Sequence, residues 1–425
     1  MSTNDMATIF RAPYILPGGL PPVSDGAIKI KKGKIVVVSR FRDLPKTGKE
    51  KLISLQDCLI LPGFVNSHTH LELSCLKGLI KGKRPFSKWV REVILAKKNI
   101  SEKVYKTSVR DGILESLRGG ITSFGDITGT GLSFDVMKKM GVRGTAFYEL
   151  IGFKEEDAGR IFSSFMKKIM IFKKNPSGLE STAGIGVSPH SPYSVSPKLF
   201  RLSCGIAKKF NFPVSIHLAE TAEEVRFLKN GDGPLNKLLL ELGSFDRGWK
   251  PPGLSPLKYL HSLNLLSLRT SVVHFNFFDE EDLKIAKKSN IKIIYCPKSN
   301  NGWFGRKSSP VTACLENSIQ LSIGTDSLAS NDSLNMFDEM RMFKSLYPLL
   351  PAERILEIAT AGGACCLGLE NRIGSLQPGR FADFIAVKIP KGINSKNLAE
   401  YAVREAKEVA VSVINGRIVY GSFDI

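Results

Sequence analysis

Residues 59–70 read LILPGFVNSHTH, an apolar run that Pro62 and Gly63 interrupt and that ends in two histidines. A buried strand that runs into polar residues is typical of parallel-sheet enzymes, which carry their chemistry where strands end. In an extended segment, residues i and i+2 point to the same side, so His68 and His70 can reach one metal ion. The stretch therefore predicts the first strand of a parallel sheet with a metal-binding pair at its end.

Further short apolar runs follow the same pattern, each ending in polar or small residues, with helix-like segments between them. They are GITSFGDI (120–127), VRGTAFYELIG (142–152), TAGIGVSPHS (182–191), FPVSIHLAET (212–221), TSVVHFN (270–276), IKIIYCPKSN (291–300) and IQLSIGTDS (319–327). Together with the first run they make about eight strand–helix repeats, the number of a (β/α)8 TIM barrel. A doubly wound sheet would need a glycine-rich phosphate loop after its first strand, and the sequence has none there.

Both chain ends are β-like in sequence. The segments are DGAIKIKKGKIVVVS (25–39), GSLQPGRFADFIAV (374–387) and VAVSVINGRIVYG (409–421). They contain the D-G, P-G and N-G pairs that favour tight turns between strands. We expect residues 1–62 and 373–425 to form a small β-sandwich domain beside a barrel of residues 63–372.

The composition excludes several classes of protein. The 425 residues include 60 Lys and Arg against 40 Asp and Glu, a formal net charge of +20 that is spread along the chain. A nucleic-acid-binding protein would concentrate this charge in one stripe, so we interpret it as a solvated surface that could also attract an anionic substrate. No apolar run approaches the ~20 residues of a membrane span, no signal-peptide pattern is present, and the cysteines are scattered. We expect a cytoplasmic protein without membrane or nucleic-acid partners.

Most of the histidines lie at or just beyond the end of a predicted strand, which in a barrel is the catalytic rim. These are His68, His70, His190, His217 and His274. His217 is a candidate third metal ligand, and Glu220 could carry a proton or simply be an acid in the first turn of a helix. Asp326 could be a ligand or a helix cap. Three histidines and one aspartate leave a coordination position for water, the layout of a catalytic metal.

These motifs, in this order, resemble the amidohydrolase superfamily, and within it the mononuclear-metal deaminase and chlorohydrolase branch. The matching strings are LPGFVNSHTHLELS, VSPHSPYSVS, SIHLAETAEE, VVHFN, YCPKSN, IGTDSLASNDSLNMFDEMR and IGSLQPGRFADFIAV. The resemblance implies His68, His70, His217 and Asp326 as metal ligands, Glu220 as proton shuttle, His274 as the group that polarises the attacking water, and His190 as a substrate contact. It also implies a hydrolase that releases ammonia from a ring amine, with Glu220, His274 and Asp326 as its catalytic residues.

The resemblance further implies one divalent metal ion. The binuclear branches bridge their metals with a lysine on the fourth strand, and GIGVSPHS (184–191) has no lysine. Zn²⁺ is the first expectation, with Fe²⁺ and Mn²⁺ open because this ligand set accommodates each of them.

The substrate is indicated by HTHLELS (68–74), which resembles the 6-aminodeoxyfutalosine deaminases of menaquinone biosynthesis. Glu72 could contact this aminopurine nucleoside, or form a salt bridge at the barrel rim. Arg84 and Arg306 are candidates for the substrate carboxylate, because arginine suits bidentate carboxylate binding, although both also fit ordinary loop cations.

Trp89 and Trp303 could stack on an aromatic substrate or fill the core of a loop. Lys298 stands where the family often has arginine, which leaves an anion contact there in doubt. His261 lies on an amphipathic helical pattern and is expected to be an ordinary surface residue or partly buried. Residues 231–260 could form a lid or a contact between subunits of a homo-oligomer.

Other substrates share the same metal ligands. The alternatives are S-adenosylhomocysteine, methylthioadenosine or adenosine, and a triazine or guanine-like ring. A non-catalytic metal-binding scaffold on the same fold is a different class of function, and the intact set of polar rim residues argues against it.

Overall fold

The fold is described by a computed structural model for residues 6–82, 85–174 and 182–422. Its strands are β1 (Thr8–Ile15), β2 (Val23–Lys31), β3 (Lys34–Arg40), β4 (Lys51–Ser54), β5 (Cys58–Pro62), β6 (Phe64–Thr69), β7 (Ile121–Thr128), β8 (Arg143–Leu150), β9 (Ala183–Pro189), β10 (Val214–Leu218), β11 (Thr270–His274), β12 (Lys292–Tyr295), β13 (Leu321–Ile323), β14 (Phe384–Lys388), β15 (Val411–Ile414) and β16 (Arg417–Gly421). Its α-helices are α1 (Phe86–Lys97), α2 (Glu102–Arg118), α3 (Leu132–Met140), α4 (Ala158–Lys174), α5 (Pro197–Phe210), α6 (Ala222–Asn230), α7 (Pro234–Glu241), α8 (Pro256–Ser262), α9 (Glu280–Lys288), α10 (Val311–Glu316), α11 (Met336–Leu346), α12 (Ala352–Glu357), α13 (Gly363–Cys366) and α14 (Leu398–Arg404).

Strands β6 to β13 form the barrel. They lie side by side in sequence order, and every neighbouring pair is parallel. A parallel bridge between Thr69 and Asp326 connects the first strand to the segment after the last one. These are the strands that the polar-ended runs predict, so the expected TIM barrel is confirmed.

The barrel strands are mostly buried because helices cover their outer surface. All eight residues of β7 and all five of β10 are buried. Helix α2 shows how the sequence builds this layer. Its N-cap Ser101 accepts a hydrogen bond from the amide of Val104, and its buried face includes Val109 and Ile113. That spacing places the apolar side chains on one stripe facing the sheet.

The chain ends meet in a second sheet of eight strands, with the order β16-β15-β14-β5-β1-β2-β3 and with β4 paired to β1. Strand β5 is parallel to β1 and antiparallel to β14, so it joins the two ends of the chain. This confirms the small β domain built from both termini. Strand β5 continues through Gly63 into β6, which links the end sheet directly to the barrel.

A buried ion pair joins the end sheet to the barrel. Arg143, at the start of β8, and Asp383, just before β14, each have side chains about 2% exposed. The guanidinium donates to both carboxylate oxygens, with Nη2 to Oδ1 at 3.2 Å, and also to the Asn415 side chain. The hydrogen bonds of both charged groups are therefore largely formed within the protein. Removing one partner would leave the other as a buried charge without a counter-ion.

Within the described residues, no helix is long and apolar enough to cross a membrane. His261 lies on the exposed side of α8, as the helical pattern predicts. In the segment 231–260, α7 packs against α1 and forms one wall of the cavity described below.

Candidate active site

The site lies where the barrel strands end, and the backbone there is unusual. Ala219, His274 and Asp326 follow or end β10, β11 and β13 with φ values of 50°, 76° and 58°. Non-glycine residues rarely adopt such left-handed conformations, and where they do they cluster at functional sites. These turns place the Glu220, His274 and Asp326 side chains around one cavity.

Three histidines meet at this rim. His68 lies near the end of β6, His70 directly follows that strand, and His217 lies in β10. One ring nitrogen from each falls within 4.8 Å of the others. The Nε2 atoms of His70 and His217 are 3.3 Å apart. The Oδ1 atom of Asp326 is 3.7 Å from Nε2 of both His68 and His70. Four donor atoms of the types that zinc prefers therefore face a common point.

The donor set fits a divalent cation. Both ring nitrogens of His68 are buried without a hydrogen-bond partner among the described residues, an expensive state for polar atoms unless a ligand satisfies one of them. Burial holds the pKa values of His70 and His217 well below the ordinary 6.5. Both rings are therefore neutral at physiological pH, the form that binds metal. Ser299 donates to Oδ2 of Asp326 at 2.8 Å and so orients the carboxylate.

Glu220 and His274 form the second part of the site. Oε2 of Glu220 lies 3.8 Å from Nε2 of His274, and both side chains are buried. Burial raises the pKa of Glu220 above its ordinary value, while Arg306 opposes that shift. Burial lowers the pKa of His274 to about 3, so this ring is neutral. Its Nδ1 donates to Asn300 Oδ1 at 3.2 Å, which leaves the Nε2 lone pair facing Glu220.

The backbone at Glu220 is held by a second buried glutamate. Glu224, in α6, accepts hydrogen bonds from the amides of Ala219 at 3.1 Å and Glu220 at 2.8 Å. These contacts stabilise the left-handed turn at Ala219. The sequence places Glu224 inside the family-like string SIHLAETAEE, but the string alone does not distinguish its role from that of Glu223.

A cavity of about 540 Å³ opens from these residues toward α1 and α7. This volume is in the usual range for a small-molecule site. The structure brings together around it most of the predicted site residues: Glu72, Trp89, His70, His190, His217, Glu220, His274 and Asp326. Its outer wall is apolar and includes Val90, Val93, Ile94, Leu235, Leu238 and Leu239.

His190 lines the cavity beside the metal-binding cluster. Its Nδ1 is 2.7 Å from Ser194 Oγ, and its Nε2 is 4.0 Å from Glu149 Oε1. Burial lowers the pKa of His190, so it faces the cavity as a neutral ring that can exchange hydrogen bonds with a ligand.

Glu72 is anchored in the wall of the cavity. Its carboxylate accepts hydrogen bonds from the amides of Gly129 at 3.1 Å and Thr130 at 3.3 Å, and also from the Thr128 hydroxyl. Trp89 is anchored as well, because its indole donates to the Ala329 carbonyl at 2.9 Å. Both residues contribute to the cavity surface in fixed orientations.

The remaining predicted contacts lie elsewhere. Arg306 is bonded to Glu220 and Asn300, and Trp303 lies beside Gly82, outside the described cavity wall. Arg84 falls outside the described residues. The amino group of Lys298 pairs with Asp332, away from the cavity.

Lys97 is a cavity residue that the sequence did not indicate. It is the last residue of α1, is half-buried, and has no ion-pair partner in the described parts of the chain. It lines the same cavity as His70 and His190, and its positive charge adds to burial in lowering the pKa of both rings. Nothing in the sequence separates it from the other basic residues.

The chain is similar to proteins of known function and to solved structures. A 5'-deoxyadenosine deaminase of Methanococcus vannielii is 28% identical over 389 residues, covering 87% of this chain and 86% of that protein. A 5-methylthioadenosine/S-adenosylhomocysteine deaminase of Syntrophobacter fumaroxidans is 28% identical over 412 residues, covering 93% and 88%. The solved structure of Helicobacter pylori aminofutalosine deaminase with methylthio-coformycin has a TM-score of 0.85 at 24% identity, covering 97% and 100%.

The sequence model of the Amidohydrolase family matches residues 59–419, which include both the barrel and strands of the end sheet. The predicted resemblance and the predicted enzyme class, a hydrolase acting on carbon–nitrogen bonds, are thereby confirmed. With most of its length matched and the histidine cluster in place at the barrel rim, this chain belongs to the amidohydrolase family.

Proposed function

We propose that this protein is a metal-dependent hydrolytic deaminase of an aminopurine nucleoside, with Zn²⁺ as its metal. The observation that carries the proposal is the meeting of His68, His70, His217 and Asp326 at the inner end of the cavity, with Glu220 beside them. Nitrogen and carboxylate donors around a buried point favour zinc over magnesium or calcium, which prefer oxygen ligands alone.

The reaction replaces an exocyclic amine by a carbonyl: one water is consumed and one ammonia is released. A bound divalent metal supplies Lewis acidity, which makes hydroxide available near neutral pH. Glu220 takes the proton from the attacking water and passes it to a ring nitrogen of the substrate, so that the ring carbon becomes electrophilic. A carboxylate whose pKa is raised by burial suits this transfer, because it takes up a proton more readily than an ordinary glutamate does.

His274 and Asp326 complete the proton path. Nε2 of His274 carries a lone pair toward Glu220, so it can hold a hydrogen bond from the attacking water. Oδ1 of Asp326 faces the histidine cluster, and Oδ2 accepts a hydrogen bond from the Ser299 hydroxyl. Asp326 can therefore accept the proton of the added hydroxyl and pass it to the departing amine, which leaves as ammonia while the carbonyl forms.

Within this class, we propose 6-aminodeoxyfutalosine, an adenine nucleoside with a carboxybenzoyl group, as the substrate. The apolar wall of α1 and α7 suits the benzoyl ring, and Lys97 offers a cation for the carboxylate. The structural likeness to the H. pylori aminofutalosine deaminase covers nearly the whole chain and concerns the fold. The deaminated product would feed menaquinone synthesis in the cytoplasm.

A second candidate is a deaminase of 5'-deoxyadenosine, methylthioadenosine or S-adenosylhomocysteine. The relatives from M. vannielii and S. fumaroxidans carry these names and match the chain over most of its length. The same apolar wall would receive the small 5' groups of 5'-deoxyadenosine and methylthioadenosine, which offer Lys97 no anionic partner. S-adenosylhomocysteine carries a carboxylate that Lys97 could pair with.

The test is ammonia release by metal-replete protein from each of these nucleosides, with Glu220→Gln as the control of strongly reduced activity. Selective turnover of 6-aminodeoxyfutalosine supports the first candidate, and preference for the other nucleosides supports the second. Failure on every aminopurine, with metal bound, would overturn the deaminase proposal. A Glu220→Gln variant with wild-type activity would overturn the role of Glu220.

A further inference from the structure

Arg306 makes the closest contact with the Glu220 carboxylate. Its Nη2 donates to Oε1 of Glu220 at 2.8 Å, and its Nη1 donates to Oδ1 of Asn300 at 2.6 Å. The arginine side chain is only 10% exposed, and its guanidinium lies 4.1 Å from the ring centroid of Phe304. One guanidinium therefore connects the predicted proton shuttle to the residue that orients His274.

From this geometry we propose that Arg306 is a positioning residue, which holds Oε1 of Glu220 so that Oε2 alone faces the reacting water and substrate. The inference rests on the proposed deaminase function. It replaces the expectation that Arg306 binds a substrate carboxylate.

The two oxygens of Glu220 have different surroundings. Oε1 is held by Arg306, whereas Oε2 points toward His274 Nε2, 3.8 Å away. A carboxylate free to rotate would present either oxygen at many angles. Charge-assisted hydrogen bonds are roughly twice as strong as neutral ones, so the arginine restricts the side chain effectively.

Arg306 is itself held in place by its own loop. Its backbone amide donates to the Asn300 carbonyl at 2.8 Å, and the Asn301 side chain donates to the Arg306 carbonyl at 2.7 Å. Both contacts lie beside one turn of π-helix, Lys298–Trp303, that follows β12. The loop thus holds the guanidinium against Oε1 of Glu220, and Arg306 does not occur among the described residues that line the cavity.

The same asparagine extends the arrangement to His274. Asn300 Oδ1 receives hydrogen bonds from Arg306, from His274 Nδ1 and, at 3.2 Å, from Asn276 Nδ2. Asn276 also donates to the Glu220 carbonyl at 3.1 Å. Glu220 and His274 are therefore set relative to each other by one connected group of buried side chains.

The experiment compares Arg306→Gln and Arg306→Lys with wild type on the substrate that the wild-type protein deaminates best. We expect Arg306→Gln to lower kcat about 10- to 100-fold, the effect of a slightly misplaced catalytic group, with KM nearly unchanged. Arg306→Lys should recover part of the loss because it keeps one charged donor. Lys307→Gln, an exposed neighbour, is the matched control and should behave as wild type.

The decisive measurement is the double variant Glu220→Gln/Arg306→Gln. If Arg306 acts through Glu220, adding the arginine change to Glu220→Gln produces no further loss of kcat, because coupled residues are not additive. A crystal structure of Arg306→Gln should show the Glu220 carboxylate in a different orientation.

Three results would overturn the inference: wild-type kcat in Arg306→Gln, a raised KM with unchanged kcat, or an additive loss in the double variant. A raised KM with unchanged kcat would instead support a role for Arg306 in binding the substrate. These outcomes are distinct from failure of the proposed function, in which the wild-type protein itself releases no ammonia.

Discussion

The Nε2 atoms of His70 and His217 lie 3.3 Å apart, although His70 directly follows β6 and His217 lies in β10, four strands further along the barrel. Two neutral imidazoles at this distance can share one proton or can both turn lone pairs toward a cation. Because His68 adds two unpartnered nitrogens beside them within the described structure, the second arrangement satisfies more of the buried polar atoms.

Metal content should therefore depend on this cluster. We expect His217→Ala to lose most of the bound metal, because it removes one of the four proposed ligands and leaves the others around a poorly closed site. Glu220→Gln should keep the metal while losing turnover about 10²- to 10⁴-fold. The measurement is metal content by mass spectrometry after gel filtration, with His261→Ala as the matched surface control. Full metal content in His217→Ala would contradict the assignment.

Lys97 should distinguish anionic from neutral nucleosides. Removing a hydrogen bond to a charged group costs about 1.5–3 kcal/mol, so Lys97→Ala should lower kcat/KM for 6-aminodeoxyfutalosine about tenfold or more. The same change should leave 5'-deoxyadenosine turnover nearly constant. Lys98→Ala, one residue along and exposed, is the control. An equal loss of kcat/KM on both substrates would show that Lys97 does not bind the substrate carboxylate.

The Arg143–Asp383 pair should be needed for stability rather than for chemistry. Asp383→Asn leaves the arginine charge buried without its counter-ion, so we expect the free energy of unfolding to fall by about 3–5 kcal/mol. Asp57→Asn changes an exposed carboxylate near the same sheet and should alter it by less than about 0.5 kcal/mol. Chemical denaturation measures both. A loss as small for Asp383 as for Asp57 would refute the prediction.

Glu339 predicts the pH dependence of stability. Burial raises the pKa of this carboxyl from 4.5 to about 8, against hydrogen bonds from the Lys298 amide and the Asn331 side chain. Between these two values the folded state binds more protons than the unfolded chain, so stability falls as pH rises through that window. Glu339→Gln should reduce the loss of stability with rising pH, whereas Glu353→Gln, at an exposed position, should leave it unchanged. The melting temperature measured across the window checks this, and identical slopes would contradict it.

Much of the fold could be predicted because the relevant signals are local. A barrel strand is a short apolar run, and its active end is marked by a polar residue within a few positions, as in SIHLAE and IGTDS. The metal cluster follows from the barrel itself, since parallel strands bring their carboxyl ends to one rim. His68, His70 and His217 therefore meet without any further information from the sequence.

The supporting contacts could not be predicted in the same way. Arg306 lies in the loop after β12 and reaches Glu220, which follows β10, and no spacing in the sequence indicates that contact. Lys97 reaches the cavity because α1 extends as far as this residue. The sequence contains many other lysines, and no local pattern distinguishes Lys97 from them. Charged side chains are long and their partners are distant in sequence, so their pairing depends on the assembled structure.

Strand β5, which pairs with both β1 and β14, also has a consequence for synthesis on the ribosome. The amino-terminal strands emerge first, yet β14 is made only after the entire barrel. Because chains are synthesised at ~5–20 residues per second, the edge of the sheet at β5 stays unpaired for tens of seconds until β14 is made. Exposed strand edges favour association between chains. We expect newly made chains to require protection by a chaperone until the last strands arrive, and chains truncated before β14 to aggregate.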